Sequence, residues 1–263
     1  MEKLISIDLK APMGFLKKPD INEGIYLTFN MLHKPVLLGI LGAIAGLKGY
    51  QNEGELPEYF QRLKDLKIGI QPLEYDEKSK NNRGNFQKTT IKYNNAVGYA
   101  NRDGGILNVV EQTLIKPVYR CFLLFDFDIA IHRRLNDYLQ KYEAEFLPYL
   151  GKNEYSLWWE AYREYDYEPF SYDRDYKVAT IFRKADQLVK EMRQNSGGTL
   201  FLFDTSPSEP EFLYFEELPV GFDEELMQYQ RETFAYTNFT LRKEKKLEGL
   251  YYLKEDDVII QLF

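Results

Sequence analysis

The sequence predicts a mixed α+β protein, with a ferredoxin-like or RRM-like N-terminal half, a protruding β-hairpin and a β-rich C-terminal region. The patterned segments up to Phe146 follow the order strand, helix, strands, helix, which is the order of a split βαβ unit. After Pro148 the pattern changes to short apolar segments typical of strands. We therefore place one domain at residues 1–147, with the hairpin at about 75–117, and a β-rich region at residues 148–263.

The first strand and the first helix are indicated by periodicity and by a proline. Residues 4–10 alternate polar and apolar side chains, which is typical of a strand with one buried face. A helix is expected to begin just after Lys34, because Pro35 suits the first helical position. Residues 35–47 are apolar around nearly the whole helix, so we expect this helix to be buried.

Three glycines, Gly39, Gly42 and Gly46, recur in this helix three and four residues apart and fall on one face. Each costs roughly 0.5–1 kcal/mol relative to alanine in a helix interior, so another interaction must offset that cost. One interpretation is close packing against the core. The other is that the backbone approaches an anion, because a helix N-terminus favours negative charge and His33 and Lys34 lie beside it.

The rest of the N-terminal half predicts a sheet that is interrupted by a basic, asparagine-rich arm. Because an isolated hairpin is marginal in water, we expect the arm to lean on a partner. The predicted elements are a short helix at 58–66, strands at 67–73, 86–93, 106–115 and 118–125, and an amphipathic helix at 131–146. In the C-terminal region, strands are expected at 199–203, 212–215, 229–241, 250–253 and 258–262.

Composition indicates a globular protein whose charge is unevenly distributed. The chain has 263 residues, of which 44% are hydrophobic, and a formal net charge of −7, which taken alone argues against nucleic-acid binding. Between residues 76 and 102, however, six lysine or arginine residues face two acidic ones, whereas residues 204–225 carry eight acidic residues and no basic one. Such a chain could hold an anionic polymer on one side, although a solvated surface remains the simpler interpretation of the acidic run.

Several classes of protein are excluded by what the chain does not contain. Its start does not resemble a signal peptide, and its longest apolar run is shorter than the roughly 20 residues of a membrane span. One cysteine and two distant histidines give neither an internal disulfide nor zinc-ligand spacing. Asp126 and Asp128 could bind magnesium from one face of a strand, but a surface pair at a strand end is favoured. We expect a cytoplasmic protein with no cofactor.

Two segments carry a resemblance to a known family. The first is HKPVLLGILGAIAG at residues 33–46, and the second is LPYLGKNEY at residues 147–155. The first resembles the helix that follows the first strand in the Cas-five family of CRISPR-associated proteins, which are RAMP-superfamily subunits of type I Cascade complexes. The second is similar to that family's Leu-Gly-Lys loop. Their order, and the basic arm between them, fit the family along most of the chain.

The resemblance implies a non-catalytic role in antiviral defence. The family subunit grips the 5′ handle of crRNA and kinks the RNA with a thumb-like hairpin. It contacts the large subunit and the first backbone subunit of the complex, and meets target DNA only through that complex. The size of the chain most resembles type I-B subunits.

The residues that would bind RNA under this resemblance belong to three groups. The phosphates would meet Lys17, Lys18, His33 and Lys34, and bases would stack on Phe86 or Tyr93. The thumb would use Arg83, Asn85, Lys88, Lys92 and Arg102. Gly151 would let the backbone approach RNA, and Lys152 and Asn153 would supply a charge and hydrogen bonds. Family members often carry arginine and threonines just before the helix, where this chain has residues 32–36 as LHKPV.

Two alternatives stay open at this stage. A branch of the family in type I-C cuts pre-crRNA without a metal, and His33 with Lys34 could in principle supply its acid–base chemistry. Its catalytic tyrosine and lysine-histidine pair have no clear counterpart, because Lys116 is followed by Pro117. The other alternative is a protein-only interaction module, in which the acidic, aromatic residues 158–176 form the partner surface.

Overall fold

Three helices and fifteen strands form the described part of the chain, in a computed structural model that describes residues 1–20, 24–76, 83–94, 108–184, 203–204 and 212–263. The helices are α1 (Lys34–Ala45), α2 (Glu58–Leu63) and α3 (Ala130–Lys141). The strands of the N-terminal half are β1 (Glu2–Lys10), β2 (Met13–Gly14), β3 (Lys67–Pro72), β4 (Lys88–Asn94), β5 (Asn108–Ile115) and β6 (Val118–Asp126).

The remaining strands are shorter on average and lie beyond residue 157. They are β7 (Trp158–Tyr165), β8 (Tyr167–Pro169), β9 (Phe182–Arg183), β10 (Phe203–Asp204), β11 (Leu213–Asp223), β12 (Gln228–Thr237), β13 (Thr240–Leu241), β14 (Leu250–Leu253) and β15 (Val258–Gln261). The mixed α+β class and the β-rich C-terminal region predicted from the sequence are confirmed.

The central sheet has the strand order of a ferredoxin-like fold. Its four strands are arranged as β3, β6, β1 and β7, and every neighbouring pair is antiparallel. Helix α1 connects β1 to β3 across the strand between them, and α3 connects β6 to β7 in the same way. This is the split βαβ arrangement that the order of patterned segments predicts.

Both faces of this sheet are buried, whereas the alternation in β1 predicted one buried face. Ile5 and Ile7 point into the main core with α1, while Leu4 packs on the opposite face against Ile260 and Leu262 of the C-terminal region. The polar residues of β1 are satisfied in place. The Ser6 hydroxyl lies 2.9 Å from the Tyr165 hydroxyl, and Arg120 donates two hydrogen bonds to Asp8, at 2.7 and 2.9 Å. The face of β1 that carries the polar residues is therefore also buried inside the protein and is not exposed to solvent.

The sheet takes its fourth strand, β7, from beyond residue 147, at which we placed the end of the first domain. The C-terminal strands β14 and β15 also cover one of its faces. Residues on both sides of the proposed boundary therefore share one core. The division into two regions stays a prediction.

Helix α1 uses its glycines for close packing against α2. A Cβ atom at Gly42 would lie 2.4 Å from the Cβ of Tyr59, and one at Gly39 would lie 3.7 Å from the Tyr59 ring. Gly46 ends the helix with φ of 73°, a left-handed conformation that glycine adopts without strain. The packing interpretation of the glycine face is therefore the one that the structure supports.

Helix α3 is shorter than the predicted 131–146, because Tyr142 adopts a left-handed conformation with φ of 57° and ends it. The next residues turn back to α1. Glu145 and Phe146 donate their backbone N–H groups to the carbonyls of Ile44 and Ala43, at 3.0 and 3.1 Å. They add hydrogen bonds to carbonyls of the last turn of α1, where the helix itself leaves acceptor capacity free. Within the described residues, no helix has both the length and the hydrophobicity needed to span a membrane.

Candidate nucleic-acid interface

The predicted hairpin forms, and its alternation sorts the candidate residues onto two faces. Strands β4 and β5 pair antiparallel, with Lys88 opposite Leu114 and Lys92 opposite Val110. Because successive side chains of a strand point to opposite faces, Lys88 and Lys92 share one face and Tyr93 lies on the other. Strand β5 also pairs with β2, so the hairpin is joined to the core at its base.

A polar cleft of about 410 Å³ opens where the hairpin meets the core, and it brings together three candidates from separate segments, Lys18, Asn85 and Lys88. We call it the hairpin cleft. Its other lining residues are Leu27, Thr28, Asn30, Gln112, Tyr214, Phe215, Glu216 and Glu217. The structure thus brings these three candidates together, although nothing in their spacing along the chain indicated it.

A buried carboxylate, Glu216, organises the hairpin cleft. It accepts backbone hydrogen bonds from Asn30 and Met31, at 3.0 and 2.9 Å, and one from the Tyr214 hydroxyl at 2.6 Å. The Lys18 ammonium lies 3.2 Å from it. A buried carboxylate is expensive unless it is paired and hydrogen-bonded, and Glu216 has both kinds of partner. It therefore holds Lys18 in place and neutralises part of its charge.

Lys88 is the second cation of the cleft. Its ammonium donates a 2.7 Å hydrogen bond to the Asn30 side-chain oxygen, and Asn30 in turn donates to the carbonyl of Gly84. Burial lowers the pKa of Lys88, whereas the charge of Glu216 acts to raise it. Asn30 thus links the segment before α1 to the base of the hairpin. An ammonium placed in this way can reach a phosphate in the cleft without leaving its anchor.

A second group of candidates meets on the opposite side of the hairpin. The Lys152 ammonium forms an ion pair with Glu111 of β5 and lies 3.7 Å from Glu154. It also lies 4.7 Å from the centre of the Tyr93 ring, within the range of a cation–π interaction. The loop that resembles the family's Leu-Gly-Lys motif is therefore bound to the hairpin through charge and through an aromatic face.

Gly151 is required by packing within the chain. Its φ is 87°, and a Cβ atom there would lie 1.8 Å from the carbonyl oxygen of Phe15. We expected this glycine to allow a close approach of RNA. The close approach that the structure contains is to the Phe15 backbone, and Asn153 beside it is exposed.

Three of the other candidate cations, Lys17, Arg83 and Lys92, are exposed. Lys17 lies with its ammonium 4.0 Å from the centre of the Tyr26 ring. Arg102 lies outside the described residues. The exposed cations are the ones that a phosphate could meet without breaking an ion pair that the structure shows.

Three candidates, Phe86, His33 and Lys34, are buried, whereas the expected RNA contacts need exposed side chains. Phe86 is 2% exposed and packs on the Tyr119 ring at 4.9 Å between centroids, so it offers no face to a base. His33 is also 2% exposed, between the rings of Phe29 and Tyr229. Lys34 is buried as well, and its ammonium donates a 3.2 Å hydrogen bond to the main-chain oxygen of Phe263. The apolar core that continues past the helix start covers all three.

Burial lowers the pKa of the two residues at the start of α1, His33 and Lys34. It lowers the pKa of His33 from 6.5 to about 3, and the Nδ1 atom of that ring has no hydrogen-bond partner. Burial, followed by the charge of Arg183, lowers the pKa of Lys34 from 10.5 to about 8. His33 is therefore neutral at pH 7, whereas Lys34 is mostly charged.

The sequence prediction missed the partners of the candidate cations, above all Glu111 and Glu216. Glu111 stands in the segment VVEQTLI, where an acidic residue at an inward position could have indicated a buried cation. Glu216 was grouped with a solvated acidic run, although it occupies an inward position in β11. No group of three or more possible metal ligands occurs among the described residues. Asp126 and Asp128 instead lie 3.6 and 3.1 Å from the amino group of Met1.

The likeness to known proteins lies in the fold. No family model matches the chain. No curated protein matches it in sequence. A chain of a type III-B Cmr-beta complex bound to cognate target RNA and AMPPnP matches its fold with a TM-score of 0.50 and 9% identity, over 97% of this chain and 99% of that one. A CRISPR protein from Archaeoglobus fulgidus matches with a TM-score of 0.48 and 13% identity, over 99% of each chain.

The match to the Cmr-beta chain shows a shared fold. This chain has the same mixed α+β arrangement of strands and helices as that chain. A chain of a CRISPR RNA-guided surveillance complex also matches, with a TM-score of 0.44 and 12% identity over 90% of each chain. At these identities the shared property is the arrangement of strands and helices, and not a particular activity.

Proposed function

We propose that this protein is a non-catalytic, RNA-binding subunit of a CRISPR effector complex, and that it caps the 5′ handle of crRNA in a type I-B Cascade. The observation that carries the proposal is the convergence of Lys18, Asn85 and Lys88 in the hairpin cleft. The RAMP-like fold supports it, since a fold match belongs to a complex that is bound to cognate target RNA.

Two exposed lysines, Lys92 and Lys17, are close in the chain to the two lysines of the hairpin cleft. Lys92 shares the hairpin face of Lys88, and Lys17 is the neighbour of Lys18. A single-stranded RNA can be held by such phosphate contacts, with bases stacked on exposed rings. Tyr93, which is 37% exposed, is the ring available for that stacking. The faces of the central sheet cannot serve as in an RRM, because both are buried.

The proposed partners follow from the same role. A subunit that caps the handle would contact the first backbone subunit and the large subunit of the complex, and target DNA only through the assembly. Such a complex would act in the cytoplasm as part of antiviral defence. These partners rest on the resemblance of residues 33–46 and 147–155 to the Cas-five family.

A non-catalytic role is supported by the burial of both histidines. Metal-independent cleavage of RNA needs a base that reaches a 2′-hydroxyl. His33 is enclosed by two rings, and the Nδ1 atom of His132 accepts a hydrogen bond from the backbone N–H of Asp126 at 3.1 Å. Incubation of the protein with its repeat RNA in EDTA tests this part of the proposal. Specific cleavage that is lost in His33→Ala would contradict it.

RNA binding is tested with the double variant Lys17→Glu, Lys92→Glu, because both side chains are exposed. We expect binding to single-stranded repeat RNA to weaken at least about fivefold and to depend less steeply on salt, as phosphate contacts are lost. Fluorescence anisotropy between 50 and 200 mM salt measures both effects, roughly the range over which such contacts lose affinity. Retention of crRNA in the purified complex should fall in parallel.

A matched control is Lys141→Glu, Lys243→Glu, which changes the net charge equally at two exposed positions outside the hairpin and its cleft. Equal weakening in the two double variants would indicate a general charge effect and would contradict the proposed site. Failure of the unaltered protein to bind repeat RNA at low salt would contradict the function itself.

A further inference from the structure

A groove of about 600 Å³ runs along the exposed side of α1, and the RNA-binding proposal does not use it. Its floor is the first three turns of the helix, including Gly39. Six aromatic residues form its walls: Tyr50, Tyr59, Phe146, Tyr149, Phe222 and Tyr229. We call it the aromatic groove. Lys18, Asn85 and Lys88 do not line it.

The rim of the aromatic groove exposes large side chains that the fold does not need to expose. Tyr50, Phe146 and Tyr149 are 57, 56 and 44% exposed, and Leu147 between the last two is 91% exposed. Tyr50, Phe146 and Tyr149 line the same opening, whereas scattered exposed residues would carry no meaning. Contiguous apolar surface of this kind marks interaction sites on soluble proteins.

Four tyrosines, Tyr50, Tyr59, Tyr149 and Tyr229, line the groove. Burial raises the pKa of Tyr59, and the neighbouring groups of Tyr50, Tyr229 and Tyr149 raise it further. Tyrosine presents a rigid apolar ring together with one donor and acceptor, which is why it is common at protein interfaces. The groove therefore offers ring faces for packing and hydroxyls for orienting hydrogen bonds.

The segments that form the walls of the groove are acidic, and this charge decides between the possible occupants. The three wall segments, residues 48–59, 143–151 and 222–229, carry eight carboxylates and a single lysine, Lys48. The carboxylates are sequence neighbours of the lining residues and do not themselves line the groove. Three of the carboxylates are paired at the surface: Glu58 with Arg62 at 3.5 Å, Glu145 with Arg134 at 3.7 Å and Glu224 with Lys64 at 3.0 Å. A polyanion such as RNA would be repelled here, whereas a cationic segment would be attracted.

We propose that the aromatic groove binds a segment of a partner protein in which an aromatic side chain is flanked by lysine or arginine residues. The aromatic side chain packs on the floor at Gly39, between Tyr59 and Tyr229. The flanking cations lie over the exposed rings of Tyr50 and Tyr149 and near the rim carboxylates, where cation–π and ionic attraction act together. The groove is thus a protein-docking site, whereas the hairpin cleft of the same chain is the proposed RNA-binding site.

The test uses the purified full chain and synthetic 12-residue peptides, with fluorescence anisotropy as the readout. The probe carries two tryptophans, each between arginine and lysine. We expect it to bind, and we expect a peptide with glutamate in place of every basic residue to bind at least about tenfold more weakly. A basic peptide with serine in place of tryptophan should bind at least about fivefold more weakly, because it loses the ring contacts. A probe that does not bind would overturn the proposal.

Variants locate the binding to the groove. Tyr50→Ser combined with Tyr149→Ser should weaken probe binding about fivefold or more, and Glu53→Lys combined with Glu55→Lys should weaken it and reduce its salt dependence. The control is Trp158→Ser, which changes a side chain that is 41% exposed but does not line the groove. Circular dichroism confirms that each variant folds.

Three results would overturn the proposal in favour of another occupant. Unchanged affinity in the tyrosine pair would place the probe elsewhere. Competition of an oligouridine RNA with the probe, lost in the tyrosine pair, would assign the groove to RNA. A concentration-dependent dimer in sedimentation that the same pair abolishes would assign it to a second copy of the chain.

Discussion

Lys152 and Glu111 form an ion pair that joins the Leu-Gly-Lys loop to strand β5 of the hairpin. Glu111 is 6% exposed, so its carboxylate has left bulk water and needs a partner. The ammonium of Lys152 also lies over the rings of Tyr93 and Phe15, at 4.7 and 5.3 Å from their centres. The charge of Lys152, which the resemblance assigns to RNA binding, is therefore used to fix the hairpin against the core.

Replacing Lys152 by methionine should destabilise the protein. The change leaves the Glu111 carboxylate buried without its cation, which we expect to cost about 2–4 kcal/mol in the free energy of unfolding. Urea unfolding measures the loss, and the double variant with Glu111→Gln should recover part of it. A large loss of RNA binding with unchanged stability would contradict this account and would make Lys152 a direct RNA contact.

Two alanine substitutions in α1 should have opposite effects, because only one of them has room for a methyl group. In Gly42→Ala the new Cβ would lie 2.4 Å from the Cβ of Tyr59, so α2 must shift, at a cost of about 1–3 kcal/mol. In Gly39→Ala the nearest Tyr59 atom is 3.7 Å away, and the helix gains roughly 0.5–1 kcal/mol. Thermal unfolding compares the two. Equal destabilisation would show that the helix face does not pack as described.

Local pattern was sufficient to predict the helices and the order of strands in the central sheet. The start of α1 depends on Pro35 and on the apolar residues that follow it, and all of this information lies within a few residues. The second buried face of β1 could not be predicted in this way. It depends on Ile260 and Leu262, which lie about 250 residues after β1 in the sequence. Nothing in their local sequence indicates that they pack against β1.

The candidate site was predictable in its cations but not in their surroundings. A run of lysines and asparagines indicates a basic hairpin, but it does not indicate which other residues the fold places next to those lysines. Whether Lys18 is available depends on Glu216, and whether Lys88 is available depends on Asn30; these partners are brought together only by the fold. Phe86 was predicted to stack on a base because it is an aromatic residue in a basic segment. That sequence pattern does not distinguish a ring that faces solvent from one that packs on Tyr119, as Phe86 does.

The stability of the protein relative to Lys34→Met should rise with pH above about 8. Burial lowers the pKa of Lys34 in the folded chain to about 8, whereas the unfolded chain keeps the ordinary value of 10.5. Between these values the unfolded state binds more protons, so raising the pH relieves the cost of a buried charge by up to about 1.4 kcal/mol per pH unit. Urea unfolding of both proteins at pH 7, 8.5 and 10 gives the difference. A difference independent of pH would mean that Lys34 is solvated.

His33 should make the protein sensitive to acid. Burial lowers its pKa in the folded chain to about 3, against 6.5 when unfolded, so stability is lost as the pH falls from about 6.5 towards 3. We expect His33→Leu to match the unaltered protein within about 1 kcal/mol at pH 7, since the Nδ1 atom it removes has no hydrogen-bond partner. At pH 4.5 the variant should be the more stable by about 2 kcal/mol.

The control for this prediction is His132→Leu, because the Nδ1 atom of His132 does have a partner. It accepts the backbone N–H of Asp126, so its removal should cost about 1 kcal/mol already at pH 7. Urea unfolding of the three proteins at pH 7 and 4.5 separates the two histidines. If His33→Leu lost as much stability at pH 7 as His132→Leu, the ring of His33 would have a polar partner, and its position between Phe29 and Tyr229 would no longer explain its neutral state.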